Sequence, residues 1–303
     1  MATITNAPGT LATAERSTPR RAAGKRPRVT WDKLLIWIVL GIGAIIMVAP
    51  FYWTVITSFK TTAETRALPP TWIPQEWTTE NWKAVSGRLD YGGSLLLFFG
   101  NSLFVCTIIT VFTIFTSALC GYVFAKFNFR GKRILFWTVL SMLMVPASVT
   151  LLPLFDMVVS FGWKNNYLAL IVPIIFSPFG IFLMRQQMMN IPSELIDAAR
   201  IDGSTEYGIF FKIILPNAKA AIAALAIFTF AFQWDNFQWP LIVLDRVEQF
   251  TVPLGLSLFR GRNSIAVGPV AAASIATILP VLIVYFFAQR RFVEGIALTG
   301  MKG

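Results

Sequence analysis

The chain has 303 residues, 55% of them hydrophobic and 14% charged, with a formal net charge of +11. So apolar a composition excludes an ordinary soluble globule of this length and marks an integral membrane protein. It contains no His, which excludes the usual zinc-protease motif and His-based triads, and its nearest approach to a phosphate-binding G-x-x-x-x-G-K-[ST] loop, FRGKR, lacks the first Gly and the Ser/Thr. Residues 1–33 are basic, rich in Ala, Thr, Pro and Arg and without apolar periodicity, which predicts a disordered tail.

Six apolar stretches then reach the length needed to cross ~30 Å of hydrocarbon at ~1.5 Å per residue. They cover residues 34–59, 95–125, 134–155, 165–187, 219–243 and 265–289. The expected fold is an all-α membrane domain of six helices over 34–290, with a short tail at 291–303. The first stretch is about twice the length of a cleavable signal core, so it is expected to stay as an anchor.

Charge orients these spans. With both termini and the loops 126–133 and 185–219 on one side, that side carries 18 Lys/Arg and 7 acids, and the other carries 8 of each. The positive-inside rule makes the first side cytoplasmic. The expectation is a multi-pass protein of a bacterial or archaeal plasma (inner) membrane with both termini inside. The string RRAAGKRPR is read as an orientation signal in contact with anionic membrane lipid, with no nucleic-acid role.

The loop 60–94 contains ALPPTWIPQEWTTENW, whose three Trp and three Pro suit an extended segment at the outer interface. Pro146, Pro153, Pro173 and Pro178 predict kinks in the third and fourth spans, in helices that either wrap a cavity or form a static bundle. Cys106 and Cys120 lie 14 residues apart in one span, hence ~21 Å, too far for a disulfide. Ala271, Ala272, Ala273 and Ala276 allow close helix approach, within the bundle or to a second membrane subunit.

Between the fourth and fifth spans, residues 191–216 are too polar to cross a bilayer. Pro192 suits a first helical turn with Ser193 as cap, and a helix of about ten residues runs to Asp202. Gly203 supplies the left-handed or open backbone that ends it. Ser204 is then placed to cap a second helix, and Pro216 marks that helix's end. Ala198 and Ala199 give the first helix a low relief, with Glu194, Asp197 and Arg200 on its rim. From the residues alone this hairpin either docks into another protein's groove or packs under its own bundle.

The string Asp197-Ala198-Ala199, Gly203 four residues on, and Ile213, Leu215 and Pro216 resembles the EAA motif of ABC importer permeases, E-A-A-x3-G-x9-I-x-L-P. It departs from that pattern at Asp197, one methylene shorter than Glu. FQWDNFQWPLIVL, residues 232–244, is similar to a string of the maltose-type carbohydrate-uptake permeases. QRRFVEGIALTGMKG resembles that family's C-terminal ending, with Ile296 and Ala297 in place of Leu and Thr. The resemblance implies the transmembrane subunit of a type I ABC importer, with a coupling helix between helices 4 and 5. It implies that Glu194, Asp197, Ala198, Ala199, Arg200, Asp202, Gly203, Ile213, Leu215 and Pro216 couple to an ATPase. It also gives Lys302 and Gly303 an ATPase contact. The implied partners are a second, distinct permease subunit, two ATP-binding subunits and an extracytoplasmic solute-binding protein. ATP and Mg would be held by the ATP-binding partners, so this chain is expected to be no enzyme and to hold no cofactor or metal.

One acid, Asp235, falls inside the fifth stretch, where an isolated carboxylate costs about 2.5–3.5 kcal/mol on insertion scales. Gln233, Trp234, Asn236, Gln238 and Trp239 surround it. Indoles match the apolar faces of sugar rings and amides match hydroxyl rims. These residues form either a substrate path or an interfacial belt where the helix ends near Phe232; Asn165 and Asn166 are weaker candidates. The expected solute is a sugar or oligosaccharide. A glycerol-phosphate ester or a polyol is the alternative within the same class. A proton-coupled secondary transporter is a different class, poorly served by one acid and no His.

Overall fold

A computed structural model describes residues 31–87, 93–260 and 267–300, with the backbone alone for 31, 32, 260 and 287–300. Of the tail expected at 1–33, residues 1–30 lie outside the described residues, as do Lys302 and Gly303, and residues 31–33 belong to a helix. Every regular element among the described residues is a helix. The chain divides into two compact units, residues 1–49 and 50–303.

In the first unit begins α1 (Trp31–Ser58), whose residues 33–49 are exposed almost throughout. A helix apolar on all sides has no aqueous face, and lipid is the solvent that suits it.

In the second unit, the loop after α1 carries α2 (Thr62–Thr65) and α3 (Glu80–Ser86). It is folded, not the extended segment its Pro and Trp residues suggested. The Glu64 carboxylate accepts hydrogen bonds from the Thr71 hydroxyl and from the Gln75 N–H at 3.1 Å. Those bonds, Thr71's above all, hold its pKa below the usual carboxylate value. Lys60 is buried, donates to the Thr71 carbonyl, and lies 4.5 Å over the Trp53 ring. Asn81, also buried, donates to the carbonyls of Ser58 and Lys60 at 3.0 and 2.8 Å. Asn81→Leu should therefore leave two buried carbonyls unpaired and destabilise the protein by about 1–3 kcal/mol. Thermal unfolding combined with limited proteolysis checks this, and an unchanged melt with an uncut loop would contradict it.

Next comes α4 (Leu95–Lys126), an unbroken helix of 32 residues started by Ser94, whose hydroxyl accepts from the Leu97 N–H. It is followed by α5 (Lys132–Ser141), a 3-10 turn, α6 (Ala147–Ser160), α7 (Tyr167–Ile171) and α8 (Pro178–Met189). The hairpin helices are α9 (Ser193–Ile201), α10 (Glu206–Ile209) and α11 (Leu215–Asn217). The chain continues with α12 (Lys219–Trp234), α13 (Gln238–Val243), α14 (Val252–Leu256) and α15 (Val267–Gly300).

Among the described residues, three helices are long and apolar enough to cross a membrane alone: α1, α4 and α15. Two further stretches qualify only as bent pairs, 132–144 with 147–160 at 102° and 206–217 with 219–234 at 77°. The kinks expected in 134–155 and 165–187 are present as full breaks, and 219–243, expected as one span, is corrected to two helices, α12 and α13. Proline is the cause in the first two. Pro146 takes an extended backbone at the first break, and Pro173 and Pro178 bracket the gap between α7 and α8. The carbonyls freed in that gap are not left bare. Ile174 and Ile175 accept hydrogen bonds from Thr113 and Thr116 of α4, which makes a broken helix tolerable at membrane depth.

The core forms where α4 packs on α8 and where α12 packs on α4 and α15. The first contact is close because of small residues. A Cβ added at Gly121 would stand 2.8 Å from Met184 Cβ, and one at Gly180 would stand 2.2 Å from Ser117 Oγ. Ser117 and Gly121, four apart on α4, thus face Gly180 and Met184, four apart on α8. At the other end of α4, Asn101 donates to the Glu248 and Phe250 carbonyls at 2.8 and 3.0 Å. Ser102 Oγ accepts from the Val252 N–H at 2.8 Å, so α4 anchors the segment that leads into α14. Cys106 and Cys120 are both free thiols, the first buried and the second half-buried.

Candidate functional site

The polar insert folds as two helical segments joined by a tight turn. Its first helix, α9, ends in a Schellman turn. Gly203 N donates to Arg200 O at 3.1 Å and Ser204 N to Ala199 O at 2.9 Å, with Gly203 at φ +79°. Two capping expectations are corrected. Pro192 stands just before the helix at φ −56°, ψ 134°, and Ser193 is its first residue. The second cap is Thr205, not Ser204: Thr205 has the extended backbone and its hydroxyl accepts from Gly208 N at 3.2 Å. Beyond α10 the chain widens into a π-turn over Phe210–Ile214, and it bends sharply after Pro216.

Burial divides the hairpin into two faces. Ile196, Ala199, Ile209, Phe210 and Ile214 sink into a core shared with Tyr122 of α4 and Met184 and Met188 of α8. Ala199 is therefore inside, and Ala198 alone of the pair lies on the open face. That face also bares Leu195, Ile201 (87% exposed) and Tyr207 (77% exposed), with Glu194, Asp197 and Asp202 around them. Arg200 clamps the two segments together, reaching Glu206 at 2.7 Å and Asp197 at 3.1 Å. Tyr122 donates its hydroxyl to Glu206 at 2.9 Å, and Lys126 donates to the Ile191 carbonyl. The hairpin is thus both packed under its own bundle and equipped with an apolar outer face. Of the other coupling candidates, Ile213 and Leu215 are half-buried against the same core and Pro216 is exposed. Tyr122 was missed by sequence reasoning, since it lies 84 residues from its partner in a featureless apolar helix.

The second feature is a cavity of about 1100 Å³ between α4, α8 and α12. Gln233, Asp235, Asn236 and Gln238 line it, together with Thr113, Ser177 and Thr229. The two indoles grouped with them in the sequence are placed elsewhere. Trp234 is 1% exposed and donates to the Thr277 carbonyl at 2.9 Å, and Trp239 donates to the Ala169 carbonyl at 2.9 Å. Buried indoles need such acceptors, and these fix how α12 and α13 are turned. The aromatic lining comes instead from Phe176, Phe179, Phe228, Phe232 and Phe237. Phe228, Phe232 and Asp235 recur at helical spacing, a signal present in the sequence. The helix stops at Trp234, so Asp235 caps its C-terminal end and is exposed to the cavity. Among the described residues, no Lys or Arg lines the cavity.

Asn165 and Asn166 are away from this lining. Asn165, at φ 59°, accepts from the N–H groups of Asp245 and Arg246, and Asn166 caps α7. Asp245 pairs with Lys164 at 2.8 Å, and hydrogen bonding from Lys164 lowers its pKa. Asn165 thus connects two loops, and Asn166 starts a helix. Among the described residues there is no group of His, Cys, Asp and Glu fit to hold a metal ion.

Residues 114–294, which take in the hairpin and most of the cavity lining, match the family described as binding-protein-dependent transport system inner membrane component. The chain belongs to this family. Among curated relatives, the arabinooligosaccharides transport system permease protein AraQ of Halalkalibacterium halodurans is 36% identical over 279 residues, 91% of this chain and 98% of that one. The sn-glycerol-3-phosphate transport system permease protein UgpE of Brucella abortus is 31% identical over 273 residues, covering 88% and 97%. A chain from the crystal structure of a bacterial ABC transporter involved in the import of the acidic polysaccharide alginate superposes with a TM-score of 0.76. It is 21% identical and covers 88% of this chain and 99% of its own. That likeness concerns the fold: an all-helical permease with several apolar spans. As a member of the family, the chain is an inner-membrane permease component of an ABC transporter and not itself an ATPase.

Proposed function

We propose that this permease forms half of the translocation pathway of an importer for a neutral sugar or oligosaccharide. The observation that carries the solute class is the cavity lining: amides, one carboxylate and five phenyl rings, with no cation among the described residues. Phenyl rings suit the apolar faces of a pyranose or furanose, and carboxylate and amide groups accept from and donate to its hydroxyls. A phosphate ester would call for Lys or Arg, so the glycerol-phosphate alternative is the weaker fit despite the likeness to UgpE. AraQ, whose name states arabinooligosaccharides, supports the sugar reading.

In this reading the membrane domain spans 34–290, between a tail at 1–33 and another at 291–303. Counted with the broken spans and with 165–187, it has six crossings and both termini inside. The open face of the hairpin 191–216 docks on one of two ATP-binding subunits, and the C-terminal Lys302 and Gly303 add a contact. A second, distinct permease chain completes the path, and a solute-binding protein delivers the sugar from outside. Closure of the ATPases around ATP would move the hairpin, and the core it shares with α4 and α8 would carry that motion to the cavity. A switch from 1:99 to 99:1 needs about 5.5 kcal/mol of differential interaction.

The test is uptake by the reconstituted complex. Asp235→Ala should raise the sugar concentration for half-maximal uptake about tenfold, the size expected for one charge-assisted hydrogen bond. Basal ATPase activity should stay unchanged. Wild-type uptake kinetics in Asp235→Ala, for every sugar the binding protein accepts, would remove this cavity from the path.

A further inference from the structure

A second cavity, of about 860 Å³, opens beside the start of α5 and the end of α8. Lys132, Arg133 and Arg185 line it, and among the described residues no acid does. None of the three forms a salt bridge among the described residues. What they do bond is neutral: Lys132 Nζ donates to the Phe127 carbonyl at 2.7 Å and Arg185 Nε to the Phe124 carbonyl at 3.3 Å. The Arg185 guanidinium lies 4.1 Å over the Phe136 ring, which orients it without neutralising it. Three like charges held around one hollow repel each other and await an anion.

Apart from Gln186, the rest of the hollow carries no polar side chain. Trp137, Leu140 and Phe182 line it, and α5 leaves Ile134 75%, Leu135 52% and Trp137 62% exposed. A free anion would use the cations and leave this helix face bare. An amphiphile with an anionic head uses both.

We propose that this cavity binds an anionic phospholipid, its phosphate against Lys132, Arg133 and Arg185 and its acyl chains along α5. Basic hollows between helices at the cytoplasmic face are suited to such head groups. The proposal rests on the orientation given above, which sets this end of α5 at the inner leaflet.

The intact importer complex, purified in mild detergent, would be titrated with phosphatidylglycerol or phosphatidylcholine and bound lipid counted by native mass spectrometry. Phosphatidylglycerol should bind in preference, and Arg133→Gln should weaken it roughly fivefold, as should Lys132→Gln, with phosphatidylcholine unaffected. Arg133 is exposed, so Arg133→Gln leaves the core undisturbed, whereas Lys132→Gln also gives up the bond to the Phe127 carbonyl. Millimolar inorganic phosphate should not displace the lipid. Equal binding of the two lipids, unchanged binding in both variants, or displacement by inorganic phosphate would each overturn the proposal. Solute-stimulated ATPase activity of the same preparation tests the importer reading separately, because lipid counting does not depend on it.

Discussion

Gly203→Val should leave the chain in the membrane and cut ATP-driven uptake roughly 5–30-fold. Gly203 holds φ +79° at the end of α9, a backbone region that costs an L-residue roughly 1–2 kcal/mol. A β-branched side chain fits there worst. An energy of that size lowers the population of the native turn by the stated factor. The effect comes from the backbone and not from crowding, since a Cβ at Gly203 meets nothing within 4 Å. Gly203→Asn is the control, because Asn tolerates the left-handed region and should keep most of the uptake. Uptake would be measured in proteoliposomes with the binding protein and ATP supplied. Full uptake in Gly203→Val would mean that the turn has no part in coupling. Equal damage from Asn and Val would point to a collision with the docked ATPase instead.

Gly121→Leu should weaken the bundle itself, by about 1–3 kcal/mol or more, and lower the yield of assembled complex. At Gly121 a Cβ already falls 2.8 Å from Met184 Cβ and 2.9 Å from the Arg185 backbone nitrogen. Backbone of a packed helix cannot swing aside as a flexible side-chain tip can, so α4 and α8 must separate. Met184 also belongs to the core that holds Ile196 and Ile209 of the hairpin. The same substitution should therefore loosen the hairpin and make it more sensitive to protease. Thermal unfolding of the detergent-purified complex and proteolysis between residues 191 and 216 check the two effects. A wild-type melt would show that the helices have room that their geometry denies.

Much of this protein is determined by local chemistry, and that part the sequence sets by itself. An apolar run the length of 95–125 has one good option in lipid, a helix that pairs every backbone group internally, and α4 is that helix without a break. Gly203 ends α9 because only its own lack of a Cβ matters there, and the turn's hydrogen bonds all lie within six residues. Pro146 and Pro173 stand at breaks and lack the N–H a helix needs, a local weakness that Pro50, Pro153 and Pro280 carry inside continuous helices.

Tertiary structure decided what depends on rotation and on distant partners. Which of residues 233–239 face the cavity follows from Trp234 and Trp239, held by carbonyls 43 and 70 residues away. Each indole that finds its acceptor in the core turns its helix, sends Asp235, Asn236 and Gln238 to the cavity wall, and leaves the aromatic lining to phenylalanines. The sequence places residues 233–239 in one stretch but holds no measure of their facing, and nothing in it joins Phe176 and Phe179 to them. The loop at 60–87 differs from its composition for the same reason. Glu64, Lys60 and Asn81 tie it down through hydrogen bonds to residues 7 to 23 positions away, and burial makes those bonds too costly to leave unmade.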